Sequence, residues 1–224
     1  VPSRLRPTAA TAAAAILVGD PGRALLLAQA LLTEPKMSNH ARGLWGYYGK
    51  TPEGDELTIQ ATGMGGPSAA LVIADLAELG VRRAVRVGTC AGLGQGSALG
   101  DLLLVEQAIA AGGSTTALGV QAGERLLPDP KLSERLHRRL GGDVRPATVA
   151  SVDGHPRETL PAPGIAAADM QTAPLLAAAR RLRIEAAALL IVTELAGDGA
   201  TVEREVLEMR EKRAGAAASF SLSG

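Results

Sequence analysis

Alternating strand and helix patterns along 224 residues predict a single α/β domain with a largely parallel central sheet. Three observations carry this. Short apolar runs such as Ile16-Leu17-Val18 and Val85-Arg86-Val87 stop at clusters of turn-forming residues. Between them lie Leu- and Ala-rich stretches long enough for helices. Neither an internal repeat nor a low-complexity linker divides residues 1–224, so one domain is expected.

Residues 14–18 read as a buried strand ending at Gly19-Asp20-Pro21-Gly22, and residues 23–32 as the helix that follows. Residues 42–50 and 56–62 read as two strands joined by a turn at Pro52-Glu53-Gly54-Asp55. The first holds Trp45, Tyr47 and Tyr48 in a chain with only 2% aromatics, which fits either a subunit interface or a local satellite of the core. Gly63-Met64-Gly65-Gly66-Pro67-Ser68 leads into a helix over residues 68–79. Pro67 suits its first turn, and free N–H groups there can face an anion.

A strand over 81–87, a loop over 88–100 and a strand over 101–110 come next. Residues 112–128 look like loop, and 131–140 like an exposed helix with basic residues in its last turn, as the helix dipole prefers. The rest reads as a strand over 144–151, a loop over 153–164 with His155, a strand near Ile165 and a helix over 170–182. A buried strand over 186–193 and a charged helix from Val202 complete the chain.

Composition narrows the function. Apolar residues make up 46% and charged residues 21%, as in a soluble globular protein. Lys plus Arg equals Asp plus Glu at 23 each, so no overall basic field points to nucleic acid or an anionic membrane. No apolar run approaches the roughly 20 residues that span a bilayer. The alanine-rich start, residues 9–18, runs into a Gly-Asp-Pro turn rather than a cleavage site. A single cysteine, Cys90, excludes an intramolecular disulfide and reads as a small buried residue. A cytoplasmic protein is expected. His40, His137 and His155 are scattered without ligand spacing, so no metal site is expected. The glycines from Gly88 to Gly96 do not run from a tight turn straight into a helix, which argues against a dinucleotide cofactor.

In an open α/β sheet the ligand lies at the carboxyl ends of the strands. That rule gathers Gly19, Arg23, Arg86, Thr89, Thr193 and Glu194 along one rim. Forked guanidinium groups, a hydroxyl and a glycine N–H make an oxyanion receptor, with phosphate the natural occupant. The alternative is that Arg23 and Arg86 are surface residues paired with Asp20 and Glu78.

Four stretches in order, Gly19-Asp20-Pro21-Gly22-Arg23-Ala24, Asn39-His40-Ala41-Arg42-Gly43-Leu44-Trp45-Gly46, Gly63-Met64-Gly65-Gly66-Pro67-Ser68 and Val85-Arg86-Val87-Gly88-Thr89-Cys90, resemble the nucleoside phosphorylases. The likeness is narrower still to hexameric bacterial purine nucleoside phosphorylases and their uridine phosphorylase relatives. It implies a three-layer α/β/α fold with a central mixed, twisted sheet. It also implies phosphorolysis of a nucleoside to free base and ribose 1-phosphate, with inorganic phosphate as co-substrate and no cofactor.

The resemblance assigns phosphate binding to Gly19, Arg23, Arg86 and Thr89, with Arg42 lent by a neighbouring subunit. The minimal unit is then a dimer and the assembly a hexamer. Asp169-Met170-Gln171 stands where the family has Glu-Met-Glu, which packs and binds the ribose, and Glu194 where an acid faces N7 of the base. Arg86 and Glu194 are thus the catalytic candidates, and Arg4, His155, Asp169, Met170, Gln171 and Glu194 the nucleoside-binding ones. His155 stands for a base-stacking aromatic and Arg4 for an N-terminal histidine supplied to a neighbour. These departures keep open a uridine phosphorylase or a non-catalytic nucleoside-binding member; a nucleosidase, using water, has less need of the arginines. Gln171 in place of a glutamate predicts a weak grip on the ribose diol and a gain for ribonucleosides on Gln171→Glu.

Overall fold

Apolar runs flanked by turn residues become strands because only a sheet can bury their backbone groups from both sides. The computed structural model describes residues 4–94, 96–159, 162–197 and 199–223. β1 (Ala14–Val18) leads into α1 (Pro21–Leu31), then β2 (Thr33–Asn39), β3 (Gly46–Lys50), β4 (Glu56–Ala61), α2 (Gly65–Glu78) and β5 (Arg83–Gly92). Next come β6 (Leu102–Ala110), the single turn α3 (Gly113–Thr116), β7 (Arg125–Leu126), α4 (Pro130–Leu140) and β8 (Val144–Ser151). β9 (Ala167–Asp169), α5 (Thr172–Leu182), β10 (Glu185–Leu195) and α6 (Arg204–Leu222) complete the described chain. None of its helices is long and apolar enough to cross a membrane.

All ten strands join one mixed sheet in the order β10-β6-β8-β9-β5-β1-β4-β3-β2, with β7 on β6 and an extra pairing of β10 with β5. β4, β1, β5 and β10 run parallel through its middle. The additional pairing closes β5, β10, β6, β8 and β9 into a ring, so half of the sheet curls on itself while the other half stays open. Side chains alternate across it as strand geometry requires. Ala15, Leu17, Ala84, Ala188 and Leu190 face α2 and α5. Ile16, Val85, Val87, Leu189 and Ile191 face α1, α4 and α6. Helices therefore cover both faces, the three-layer α/β/α arrangement expected from the sequence.

Two helices that begin at the sheet's edges use the same device. Asp20 and Asp129 cap α1 and α4 by accepting from the N–H groups of Arg23 (2.8 Å) and Leu132 (2.9 Å), and Pro21 and Pro130 fill the first helical position. In α4, Leu132, Leu136 and Leu140 form one buried stripe, so this helix is amphipathic rather than simply exposed.

Several boundaries differ from the sequence reading. β2 was not expected, because Glu34, Pro35 and Lys36 break any alternating pattern; as the last strand of the sheet it can hold a proline without losing a ladder bond on its free side. Arg42 lies outside the aromatic strand, exposed in a one-turn 3-10 segment at φ 59. The loop expected from residue 88 is strand as far as Gly92. Here the small residues answer close packing rather than a turn: a Cβ on Gly92 would lie 2.7 Å from the Ser97 side chain. Residues 112–128 hold α3 and β7, and the strand expected near Ile165 begins at Ala167. Tyr47 is buried in the core under α1 with Trp45 packed against it, while Tyr48 donates its hydroxyl to Glu56 Oε1 at 2.8 Å.

Candidate active site

Gly19, Arg23, Arg86, Thr89, Thr193 and Glu194, gathered by the strand-end rule, all line one open cavity of about 800 Å³. β1 delivers Gly19, the first turn of α1 delivers Arg23, β5 delivers Arg86 and Thr89, and β10 delivers Thr193 and Glu194. Met170, Gln171, His155 and Asp153 line it too.

Arg86 is only 4% exposed, and a buried guanidinium needs partners. Its Nη2 donates to Asp169 Oδ2 at 2.9 Å, its Nη1 to Gln171 Oε1 at 2.8 Å and its Nε to Thr172 Oγ1 at 3.2 Å. One N–H on each Nη keeps no partner among the described residues and is available to the cavity. Burial lowers the pKa of the guanidinium, the Asp169 carboxylate opposes that, and the nearby charge of Arg23 lowers it further. An arginine nevertheless stays protonated.

Asp169 does not line the cavity. It is 1% exposed, and its carboxylate also accepts from Ser151 Oγ (2.5 Å), Thr172 Oγ1 (2.6 Å) and the N–H groups of Gln171 (3.1 Å) and Thr172 (3.0 Å). With its oxygens so occupied it holds Arg86 and the start of α5, rather than the ribose for which the resemblance marked it. Arg23 places Nε 2.5 Å from Glu211 Oε1 of α6, both side chains being nearly buried, and its Nη groups have no partner among the described residues. The arginines are thus paired, but with Glu211 and Asp169 rather than Asp20 and Glu78: Asp20 serves as a helix cap.

At the other end, a bulge in β10 inserts Thr193 between the pairings Val192↔Cys90 and Glu194↔Ala91. Bulges re-aim side chains, and here the effect is to give Glu194 to the cavity. His155 Nδ1 lies 3.8 Å from Glu194 Oε1, close enough for charge to be felt and too far for a hydrogen bond. Cys90 is buried behind them, its thiol held protonated by burial above all and by the Asp169 charge, as suits a packing residue.

Two further marked residues stay outside the cavity. Arg42 is exposed and does not line its own chain's cavity. Arg4 donates from Nη1 to Asp75 Oδ1 at 3.2 Å, while its backbone N–H and that of Leu5 reach Asp75 Oδ2 at 2.7 and 2.8 Å, so its guanidinium is tied to α2 of its own chain. Sequence reasoning missed Glu211, although it shares a helical face with Ala214, Gly215 and Ala218, which are buried. A carboxylate on that small-residue stripe was the available signal. Asp153, which accepts from Ser114 Oγ (2.6 Å) and Ser114 N–H (3.0 Å), carried no such mark.

Residues 13–223 match the family model described as the Phosphorylase superfamily. A DeoD-type purine nucleoside phosphorylase of Limosilactobacillus reuteri is 31% identical over 214 residues, covering 88% of this chain and 86% of that protein. One from Oceanobacillus iheyensis is 38% identical over 94 residues, 42% of this chain and 40% of that protein. In fold, the chain is similar to uridine phosphorylase from Vibrio fischeri ES114, with a TM-score of 0.81, 22% identity and coverage of 95% and 92% of the two chains.

Gly88 tests the cage. It follows Arg86 on the same face of β5, and a Cβ there would lie 2.5 Å from the Arg86 guanidinium carbon. Gly88→Ala must shift that group, the far end of a flexible side chain, from its place on Asp169. Calorimetry should show weakened anion binding, and urea unfolding a loss of stability below the about 3–5 kcal/mol of breaking a buried pair outright. Wild-type stability and affinity in the variant would contradict the arrangement.

Proposed function

Because the chain belongs to the phosphorylase superfamily, we propose that it catalyses phosphorolysis of purine nucleosides to free base and ribose 1-phosphate. The observation that carries the reading is one cavity lined both by N–H groups of Arg23 and Arg86 without a partner among the described residues, with Thr89 and Gly19, and by the Glu194 carboxyl and His155 imidazole; the reading assigns the first set to one end and the second to the other. Phosphate held at the first end presents an oxygen to C1′ of a nucleoside whose base lies at the second. The new C1′–O bond forms as the C1′–N bond breaks, and the electron pair leaves on the base. Donors preorganised around the phosphate stabilise charge where it develops, with no metal or cofactor required by the chemistry. As the general acid of this reading, Glu194 gives a proton or a strong hydrogen bond to N7 of the departing purine. That acid, with the similarity over most of the chain to relatives named for purine nucleosides, favours purine over uracil.

Arg42 fits a role in trans. It is exposed, away from its own cavity, and its left-handed backbone at φ 59 is one that non-glycine residues seldom adopt without a constraint. A dimer is then the smallest active unit, with a hexamer the assembly that the resemblance implies. The single buried cysteine and balanced charge suit the cytoplasm.

Base release from inosine, 2′-deoxyinosine and uridine, followed with and without orthophosphate, tests the reaction. Release should need phosphate and be fastest with a purine; equal release in its absence would mean hydrolysis. Glu194→Gln should slow inosine phosphorolysis by about 10²- to 10⁴-fold, and an unchanged rate would remove Glu194 from the mechanism. For assembly, Arg42→Ala should raise KM for phosphate with little change in KM for nucleoside. A fully active monomer in light scattering would refute the shared site.

A further inference from the structure

Gln171 stands where the family resemblance expects a ribose-binding carboxylate, yet its amide is already engaged on every side. Its Nε2 donates to Gly63 O at 2.7 Å and Gly65 O at 3.1 Å. Its Oε1 accepts from Arg86 Nη1 at 2.8 Å, and the Thr62 hydroxyl lies 3.0 Å from both that oxygen and Val18 O, sharing its one hydrogen between them. The orientation of the amide follows from its partners. Carbonyl oxygens only accept and a guanidinium only donates, so the reversed amide would set oxygen against oxygen and nitrogen against nitrogen. The side chain is 3% exposed, so a bond broken by a ligand would leave a polar group with little access to water.

Backbone geometry supports the same arrangement. Gly63 and Gly65 have φ of 73 and 79, a left-handed conformation that side chains disfavour, and in this conformation both of their carbonyls meet one amide. A glutamate at this position could not donate to either carbonyl and would set a carboxylate against two oxygens. Next to it, the Asp169 carboxylate is filled by Arg86, Ser151 and Thr172, and Met170 offers only a thioether. The side chains of Asp169 and Gln171 are thus already engaged by partners among the described residues, and the Gln171 amide grips an arginine of the anion site.

We infer that Gln171 is a positioning residue for the anion site, tying Arg86 to the Gly63–Gly65 turn rather than holding the sugar diol. The inference rests on the phosphorolysis reading for its substrates, and it replaces the sequence-based expectation that Gln171→Glu would favour ribonucleosides.

The test is steady-state kinetics of the full chain on inosine and 2′-deoxyinosine at varied phosphate, with phosphate binding to the free protein measured by calorimetry. Gln171→Ala and Gln171→Glu should each raise KM and Kd for phosphate about tenfold or more, leaving the deoxy-to-ribo ratio and the nucleoside KM near wild type. A Gln171→Ala enzyme with unchanged phosphate affinity, or with a sugar ratio clearly altered, would overturn the inference. Turnover of neither nucleoside would refute the phosphorolysis reading instead. In that case an unchanged phosphate Kd in Gln171→Ala, or in the milder Gln171→Asn, would still refute the positioning role.

Discussion

The ion pair between Arg86 and Asp169 is the interaction on which the site's construction depends. A guanidinium on the central strand of a sheet, 4% exposed, is tolerable only because a carboxylate meets it at 2.9 Å and a hydroxyl and an amide take two more of its N–H groups. The same carboxylate anchors the start of α5 through the Thr172 N–H and hydroxyl and engages Ser151 at the end of β8. One buried charge pair thus fastens β5, β8, β9 and α5 to each other at the floor of the cavity. Taking away either partner leaves the other charged and buried, which is why the pair and the fold around it stand or fall together.

Its placement follows from topology. β1, β5 and β10 run parallel, so their carboxyl ends open on one side and bring Gly19, Thr89 and Glu194 to a common rim. Pairing of β5 with both β10 and β9 keeps that strand regular past the point where its glycines suggest a loop, and small residues let the strands and Ser97 crowd around it. Arg23 receives a second carboxylate, Glu211, from α6 on the opposite face of the sheet. Each arginine is half-neutralised by its own partner and keeps N–H groups for a ligand. The receptor therefore works by directed hydrogen bonds more than by an excess of positive charge.

Much of this was legible in the sequence, and the limits have physical causes. The strand-and-helix alternation and the gathering of six cavity residues at strand ends both followed from patterns local to a few residues. β2 escaped because an edge strand needs no apolar alternation, and the extension of β5 because small residues serve tight packing as well as turns. What sequence could not supply was the partner of each polar group. Asp169 and Gln171 sit two residues apart in a ribose-like motif, but long-range contacts decide their work: Arg86 is 83 residues away from one and 85 from the other, and Gly63 lies 108 from Gln171. Glu211, 188 residues from Arg23, was visible only as a charge on a buried helical stripe.

The central claim is that Arg23, Arg86 and Thr89 form one anion receptor whose geometry the Asp169 pair sets. A crystal structure of the protein grown with phosphate tests it most directly. The account predicts the anion at the floor of the cavity, within hydrogen-bond reach of an Nη of each arginine, the Thr89 hydroxyl and the Gly19 N–H, with Arg86 still on Asp169. Phosphate bound elsewhere, with both guanidinium groups turned away from the cavity, would contradict it.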